Sequence, residues 1–146
     1  MPYLQLDLPF TAEAARKRAC AVRLADAHAE IMQTQARIVS VAFRELGPGN
    51  VVRNDGPGEG EARLREVVVA LCDVRRGRSP DDRDRFARRL CDEVAGSLGW
   101  PPDRVVVEFT QHEGSEMFRD GALAPDWSPS ERGSDPSMRE GAPFRV

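Results

Sequence analysis

Lysine is nearly missing from this chain of 146 residues: of 21 basic residues only Lys17 is a lysine, and the other 20 are arginines. The arginine excess reads first as the compositional bias of a high-GC genome, and second as a capacity to bind anions, because each guanidinium presents a fork of donors. Histidine occurs twice, at His28 and His112, and cysteine three times, at Cys20, Cys72 and Cys91, with no CxxC pair. Such scarcity argues against a disulfide framework or a cysteine-rich zinc site and suits buried thiols in a reducing cytoplasm. Two histidines without local ligand spacing also argue against an imidazole-based metal site, so neither metal nor cofactor is expected. No apolar run approaches the roughly 18 residues of a membrane-spanning helix. The opening MPYLQLDLPF lacks a basic region followed by an apolar stretch, so no signal peptide is expected. With a net charge of -3 and 24 acids interspersed among the arginines, no nucleic-acid partner is expected.

What is present is a pattern given twice. Residues 3–8, YLQLDL, alternate as a half-buried strand with Leu4, Leu6 and Leu8 on one face. Thr11 is the expected cap of a helix running to about residue 33, with apolar positions at Ala15, Ala19, Val22, Ala29 and Met32. Residues 38–43, IVSVAF, read as a second strand. A breaker-rich linker, LGPGNVVRNDGPGEGEA, follows. Its glycines are no dinucleotide fingerprint, because a strand rather than a helix comes after them. The pattern then restarts with a strand at 66–71, EVVVAL. Next is a helix opened by Ser79-Pro80-Asp81-Asp82, with Phe86, Leu90, Val94 and Leu98 on one face, and then a strand at 105–109, VVVEF.

The expected fold is therefore α+β. Tandem β-α-β units (1–55 and 61–128) form a four-stranded sheet with two helices on one face, a single domain over 1–128, and a C-terminal tail over 129–146. Apolar residues on both sides of the third strand (Val68 and Ala70 against Val67, Val69 and Leu71) predict contacts between copies. Met117, Phe118, Leu123, Trp127 and Phe144 could clamp the later chain onto a neighbour.

Several residues could carry chemistry. Removal of Met1 before the small Pro2 would expose a secondary amine that titrates at about pH 8, and that nearby cations hold neutral at lower pH. Arg75, Arg76 and Arg78 lie between a strand end and a helix start, where cations are unfavourable unless an anion joins them. Guanidinium forks suit a carboxylate. His28 falls late in the first helix, and Glu108 lies on the face of its strand opposite Val105, Val107 and Phe109.

Together these pieces resemble the tautomerase superfamily, specifically its cis-3-chloroacrylic acid dehalogenase-like group. The resemblance covers about residues 2–125. It rests on Pro2, DAH ending at His28, Thr34-Gln35, PGNV at 48–51, RRGRS at 75–79 and MFRDG at 117–121. It implies a β-α-β duplication, usually a homotrimer, and an enzyme acting on a small carboxylate. Pro2 would be the catalytic amino-terminal proline, Arg75 and Arg78 the carboxylate-binding arginines, and His28 a positioning group for substrate or water. Two positions depart from the dehalogenase: Glu108 replaces a tyrosine, and Arg119 replaces the water-activating glutamate. Without that glutamate hydrolytic dehalogenation is disfavoured unless Glu108 supplies the base, since water addition needs one. The expected activity is tautomerisation or isomerisation of an unsaturated or 2-oxo carboxylate, with hydration or decarboxylation as branches. A catalytically silent trimeric ligand-binding or scaffold protein is the alternative.

Overall fold

The structure, a computed structural model, describes residues 2–134. The fate of Met1, Phe144 and the tail beyond residue 134 lie outside the described residues. Four strands form the main sheet: β1 (Tyr3–Leu8), β2 (Ser40–Glu45), β5 (Val68–Arg75) and β6 (Val105–His112), in the order β2-β1-β5-β6. Two helices connect them, α1 (Ala14–Ile31) and α2 (Pro80–Leu98). Each helix joins a parallel pair, β1 with β2 and β5 with β6, and the two units meet antiparallel at β1 and β5. This is the α+β duplication that the sequence pattern predicts.

Alternation explains which face the helices cover. Leu4, Leu6 and Leu8 of β1 are fully buried, as are Val68, Cys72 and Val74 of β5. They meet Cys20, Leu24, Ala27 and Ile31 of α1, and Phe86, Leu90, Val94 and Leu98 of α2. Each large apolar side chain removed from water here contributes about 1.5–3 kcal/mol. The thiols of Cys20 and Cys72 are pushed up by burial, to about 11 and about 12, so both stay protonated and act as small hydrophobes. No helix among the described residues is long and apolar enough to cross a membrane.

Three local expectations need correction. Thr11 does not cap α1: the helix starts after Glu13, whose side chain makes no capping bond. The approach to it is tied instead by Glu45, which accepts from the Ala12 backbone N–H at 2.9 Å and pairs with Lys17 at 2.8 Å. The buried face of α1 runs through Cys20, Leu24, Ala27, His28 and Ile31, while Ala15, Ala19 and Val22 face outward, Val22 being 61% exposed. The third main strand is also displaced. Residues 65–66 turn back as β4 (Arg65–Glu66) to pair with β3 (Val52–Arg53), so the linker holds a small ribbon, and Val67 is buried beside Val51. β5 then runs on to Arg75, because antiparallel pairing with β1 extends to Tyr3 opposite Asp73 and keeps polar residues in the ladder.

α2 opens as its sequence predicts. Ser79 Oγ accepts from the Asp82 backbone N–H at 3.1 Å, Pro80 takes the first helical position, and Asp81 and Asp82 face the positive helix end. Gly99, at φ +73°, ends the helix in the left-handed region. Replacing Ser79 by Ala should lower stability by about 1 kcal/mol, read from the urea midpoint; an unchanged midpoint would show that the cap contributes nothing.

Candidate active site

The site lies where β5 passes into α2. Tyr3 pairs with Asp73 in antiparallel register, so the chain's beginning runs beside the end of β5, and Pro2 is buried there. The Pro2 carbonyl accepts from Ser40 N–H at 3.0 Å, which ties this end of β1 to β2. Two residues past the Val74 level come Arg76 and the turn at Gly77. The turn folds Arg78 back beneath the sheet end, where its Nη1 donates to the Arg75 carbonyl at 2.8 Å and its Nε to the Met32 carbonyl at 3.0 Å.

Arg75 and Arg78 are 1% and 4% exposed, which is rare for guanidinium groups. Both keep a buried N–H without a partner among the described residues, Arg75 Nε and Arg78 Nη2. Burial, then the charge of Arg75, lowers the Arg78 pKa to about 10, so it remains a cation at neutral pH. His28, from the last turns of α1, is wholly buried with its ring edge-on to Phe86 (4.9 Å between centroids, 77° between planes). Neither ring nitrogen has a hydrogen-bond partner among the described residues. Burial lowers its pKa to about 3, with the charges of Arg78 and Arg75 adding repulsion, so the imidazole is neutral. A neutral imidazole carries one N–H and one lone pair, and here both lack partners.

Residues 125–131 cover this cluster, and in them Trp127, expected to clamp the chain onto a neighbour, packs on its own chain instead. Arg75 Nη2 donates to both carboxylate oxygens of Glu131, at 2.6 and 2.7 Å, and its Nη1 donates to the Pro125 carbonyl at 2.8 Å. The Thr34 hydroxyl also donates to Glu131, and the Gln35 amide donates to the Glu131 carbonyl at 3.3 Å. Burial alone would raise the Glu131 pKa, but the Arg75 and Thr34 hydrogen bonds outweigh it and hold the carboxyl below its usual range. Trp127 lies over the Arg78 guanidinium at 4.3 Å and donates its indole N–H to the Gln33 carbonyl at 2.9 Å. Gly77 is required beneath it: at φ +121° a side chain is strained, and a Cβ would stand 2.7 Å from the Trp127 ring.

The structure thus brings Pro2, His28, Arg75 and Arg78 to one end of the sheet. It does not bring Glu108 or Arg119 to them within one chain. Glu108 is exposed on the face away from the helices, opposite Leu71, whereas His112 pairs with Arg75. Four residues of strand put Glu108 about 13 Å short of that level. Arg119 is half-buried in the hairpin of β7 (Phe118–Arg119) and β8 (Ala122–Leu123) and is not among the hydrogen-bond partners of Arg75 or Arg78. Thr34-Gln35 stood in the sequence as a motif without a function, and here it binds Glu131. Glu131 itself carried no signal, since nothing periodic surrounds it.

No family sequence model matches the chain, and no curated protein matches it. Solved structures do. N1, a member of the cis-3-chloroacrylic acid dehalogenase family, has a TM-score of 0.73 at 22% identity, over 92% of this chain and 93% of that one. Malonate semialdehyde decarboxylase has 0.64 at 20%, over 80% and 88%. A wild-type fused 4-OT asymmetric trimer has 0.68 at 18%, over 84% and 95%. The fold of this chain is therefore the tautomerase-superfamily fold of these structures, as the sequence resemblance implies.

Proposed function

We propose that this protein is an enzyme that uses Pro2 as an amino-terminal proline to act on a small unsaturated or 2-oxo carboxylate. The observation that carries this reading is the set of buried polar groups lacking partners: both nitrogens of His28, Nη2 of Arg78 and Nε of Arg75. An unmade hydrogen bond on a buried polar group costs about 1–3 kcal/mol. Four such atoms in one place make a standing cost that a bound polar ligand would offset. The charges agree in sign: two buried cations flank a neutral imidazole with only the Glu131 carboxylate set against them, so an anion suits the donors left without partners.

In this reading the Arg75 and Arg78 forks hold the substrate carboxylate and stabilise negative charge developing on the adjacent carbonyl oxygen. Pro2, freed of Met1 and kept neutral by the same cations, moves a proton between carbon and oxygen, giving tautomerisation or isomerisation. His28 orients the substrate through whichever ring nitrogen faces it. Decarboxylation and hydration remain as branches of the same reading, since the malonate semialdehyde decarboxylase structures are described by decarboxylase and hydratase activities. A homotrimer belongs to the same proposal. The fused 4-OT relatives are described as trimers, and here the sheet face away from the helices carries half-buried Val69, Leu71 and Val106. Phe118 and Leu123 pair across the β7-β8 hairpin at 71% and 60% exposure, an apolar spur that a neighbouring copy would cover.

The test is Pro2→Ala, assayed on phenylenolpyruvate-like enols and on acetylene and haloacrylate carboxylates. A loss of about a hundredfold or more in kcat/KM is expected; undiminished turnover would rule out the proline mechanism. Mass spectrometry of the purified protein should find Met1 removed. One observation favours a second reading, a catalytically silent ligand-binding protein of this fold: the Arg75 fork already holds a carboxylate of its own chain. That reading expects no borohydride trapping of any 2-oxo acid and no activity that depends on Pro2.

A further inference from the structure

Residues 125–134 cross the two-arginine cluster as a strap fixed along its length. The Pro125 carbonyl and the Glu131 carboxylate bind Arg75, Trp127 stacks on Arg78, and Arg132 reaches the Glu30 carbonyl at 3.4 Å. Its contacts resemble those a ligand would make: a carboxylate meets a guanidinium through both oxygens, accepts a hydroxyl donor from Thr34, and has an aromatic ring beside it. Glu131 lies 56 residues from Arg75 in sequence, so these contacts do not follow from local chain geometry.

We propose that Glu131 is an intramolecular competitor for the carboxylate site, and that the strap must lift from Arg75 and Arg78 before an external monocarboxylate can bind. The proposal rests on the reading of Arg75 and Arg78 as that site. A tethered carboxylate presents itself at an effective concentration of about millimolar. An external ligand therefore binds with its intrinsic affinity reduced by the fraction of molecules whose strap is open. If one molecule in about ten is open, the apparent affinity falls about tenfold. The two sets of contacts compete for the same fork, because Pro125 takes Nη1 and Glu131 takes Nη2 of Arg75, which closes the end-on grip on a second carboxylate while the strap is in place. Trp127 adds a physical cover, with its ring packed on Gly77 and Arg78. The strap thus selects for ligands that supply more than a carboxylate: an added keto oxygen can engage Arg78 Nη2 or His28, which Glu131 leaves without partners.

The probe is pyruvate, titrated by calorimetry into the full chain as wild type, Glu131→Gln and Arg75→Gln. The proposal expects Glu131→Gln to bind pyruvate about tenfold or more tightly than wild type, and Arg75→Gln to lose binding. Hydrogen exchange on the wild type gives a second measurement that needs no variant: amides of residues 127–134 should exchange faster when pyruvate saturates the site. Equal or weaker binding by Glu131→Gln, with Arg75→Gln still deficient, would overturn the strap as competitor and leave the carboxylate site standing. Unchanged or slower exchange across 127–134 on saturation would overturn it in the same way. If none of the three binds millimolar pyruvate, or Arg75→Gln binds as well as wild type, the carboxylate site and the competitor fail together.

Discussion

Taking the pH from 6.5 to 4.5 should cost the wild-type protein about 2 kcal/mol of stability through His28 alone. The sign follows from which state binds the proton. Unfolded, the imidazole titrates near its ordinary value of 6.5; folded, burial and the charges of Arg78 and Arg75 lower it to about 3. Above 6.5 both states hold it neutral and nothing is lost. Below 6.5 the unfolded chain takes up the proton and the folded one does not, so stability falls by about 1.4 kcal/mol per pH unit until the folded pKa is reached. Over the whole interval to pH 3 the loss approaches about 4 kcal/mol, but Glu131, whose carboxyl is held low in the folded protein, joins the titration below about 4.5. The upper interval therefore isolates His28. Urea unfolding of wild type and His28→Leu between pH 4.5 and 7.5 checks it. The wild type should lose stability across the window, and His28→Leu should be flatter by about 2 kcal/mol. Parallel profiles would mean that His28 is protonated, or exposed, in the folded protein. At neutral pH the leucine variant should be no less stable, since it replaces a buried imidazole whose hydrogen-bonding capacity is unmet.

How far the molecule was legible in its sequence depends on what kind of contact set each part. Leu4, Leu6 and Leu8 mark their strand because alternation is a local property, and Ser79-Pro80-Asp81-Asp82 marks its helix start because capping is too. The grouping of Pro2, His28, Arg75 and Arg78 came from the family resemblance and not from any local pattern, since nothing periodic in the chain gives the order β2-β1-β5-β6 that sets Pro2 beside the end of β5. The α1 face was misread because alanine fits either side of a helix. With Ala15, Ala19, Ala21, Ala25, Ala27 and Ala29 in one helix, a single shift of phase separates Val22 outward from Leu24 inward. β5 outran its apolar run because Asp73 and Arg75 are held as strand by partners on β1 and β6, which no local pattern reports. Glu131, and the seat of Trp127 on its own chain rather than on a neighbour, were beyond reach for the same reason carried further: the partners Arg75 and Gln33 lie 56 and 94 residues away. Among prolines, serines and charges with no period, one more glutamate looks like solvent-facing chain.

Phe86→Ala should lower stability by about 3–5 kcal/mol, the range for removing a phenyl ring from a packed core. Phe86 is fully buried on α2 between the edge of His28 and Phe109, whose ring centroid stands 6.3 Å away at 61°. Removing it loses the transfer energy of the ring and leaves a space that two helices and a sheet cannot easily close, since its walls are backbone-fixed positions such as Leu24, Leu90 and Val94. Phe86→Leu keeps most of the volume and should cost about 1–1.5 kcal/mol. A loss under about 1.5 kcal/mol for the alanine variant would place Phe86 outside the core. The consequence for the site separates this from any other core deletion. Phe86 is one of the apolar walls that keep His28 dry, and burial is the largest cause of its depressed pKa. A cavity beside the imidazole admits water to two unpartnered nitrogens, so in Phe86→Ala the His28 pKa should rise toward 6.5 and the acid loss between pH 6.5 and 4.5 should shrink with it. Leu6→Ala, in the same core but on β1, should destabilise by about 2–5 kcal/mol while leaving that pH slope as it is in wild type. Measuring both slopes distinguishes a phenyl ring that only fills space from one that also sets the protonation state of the candidate site.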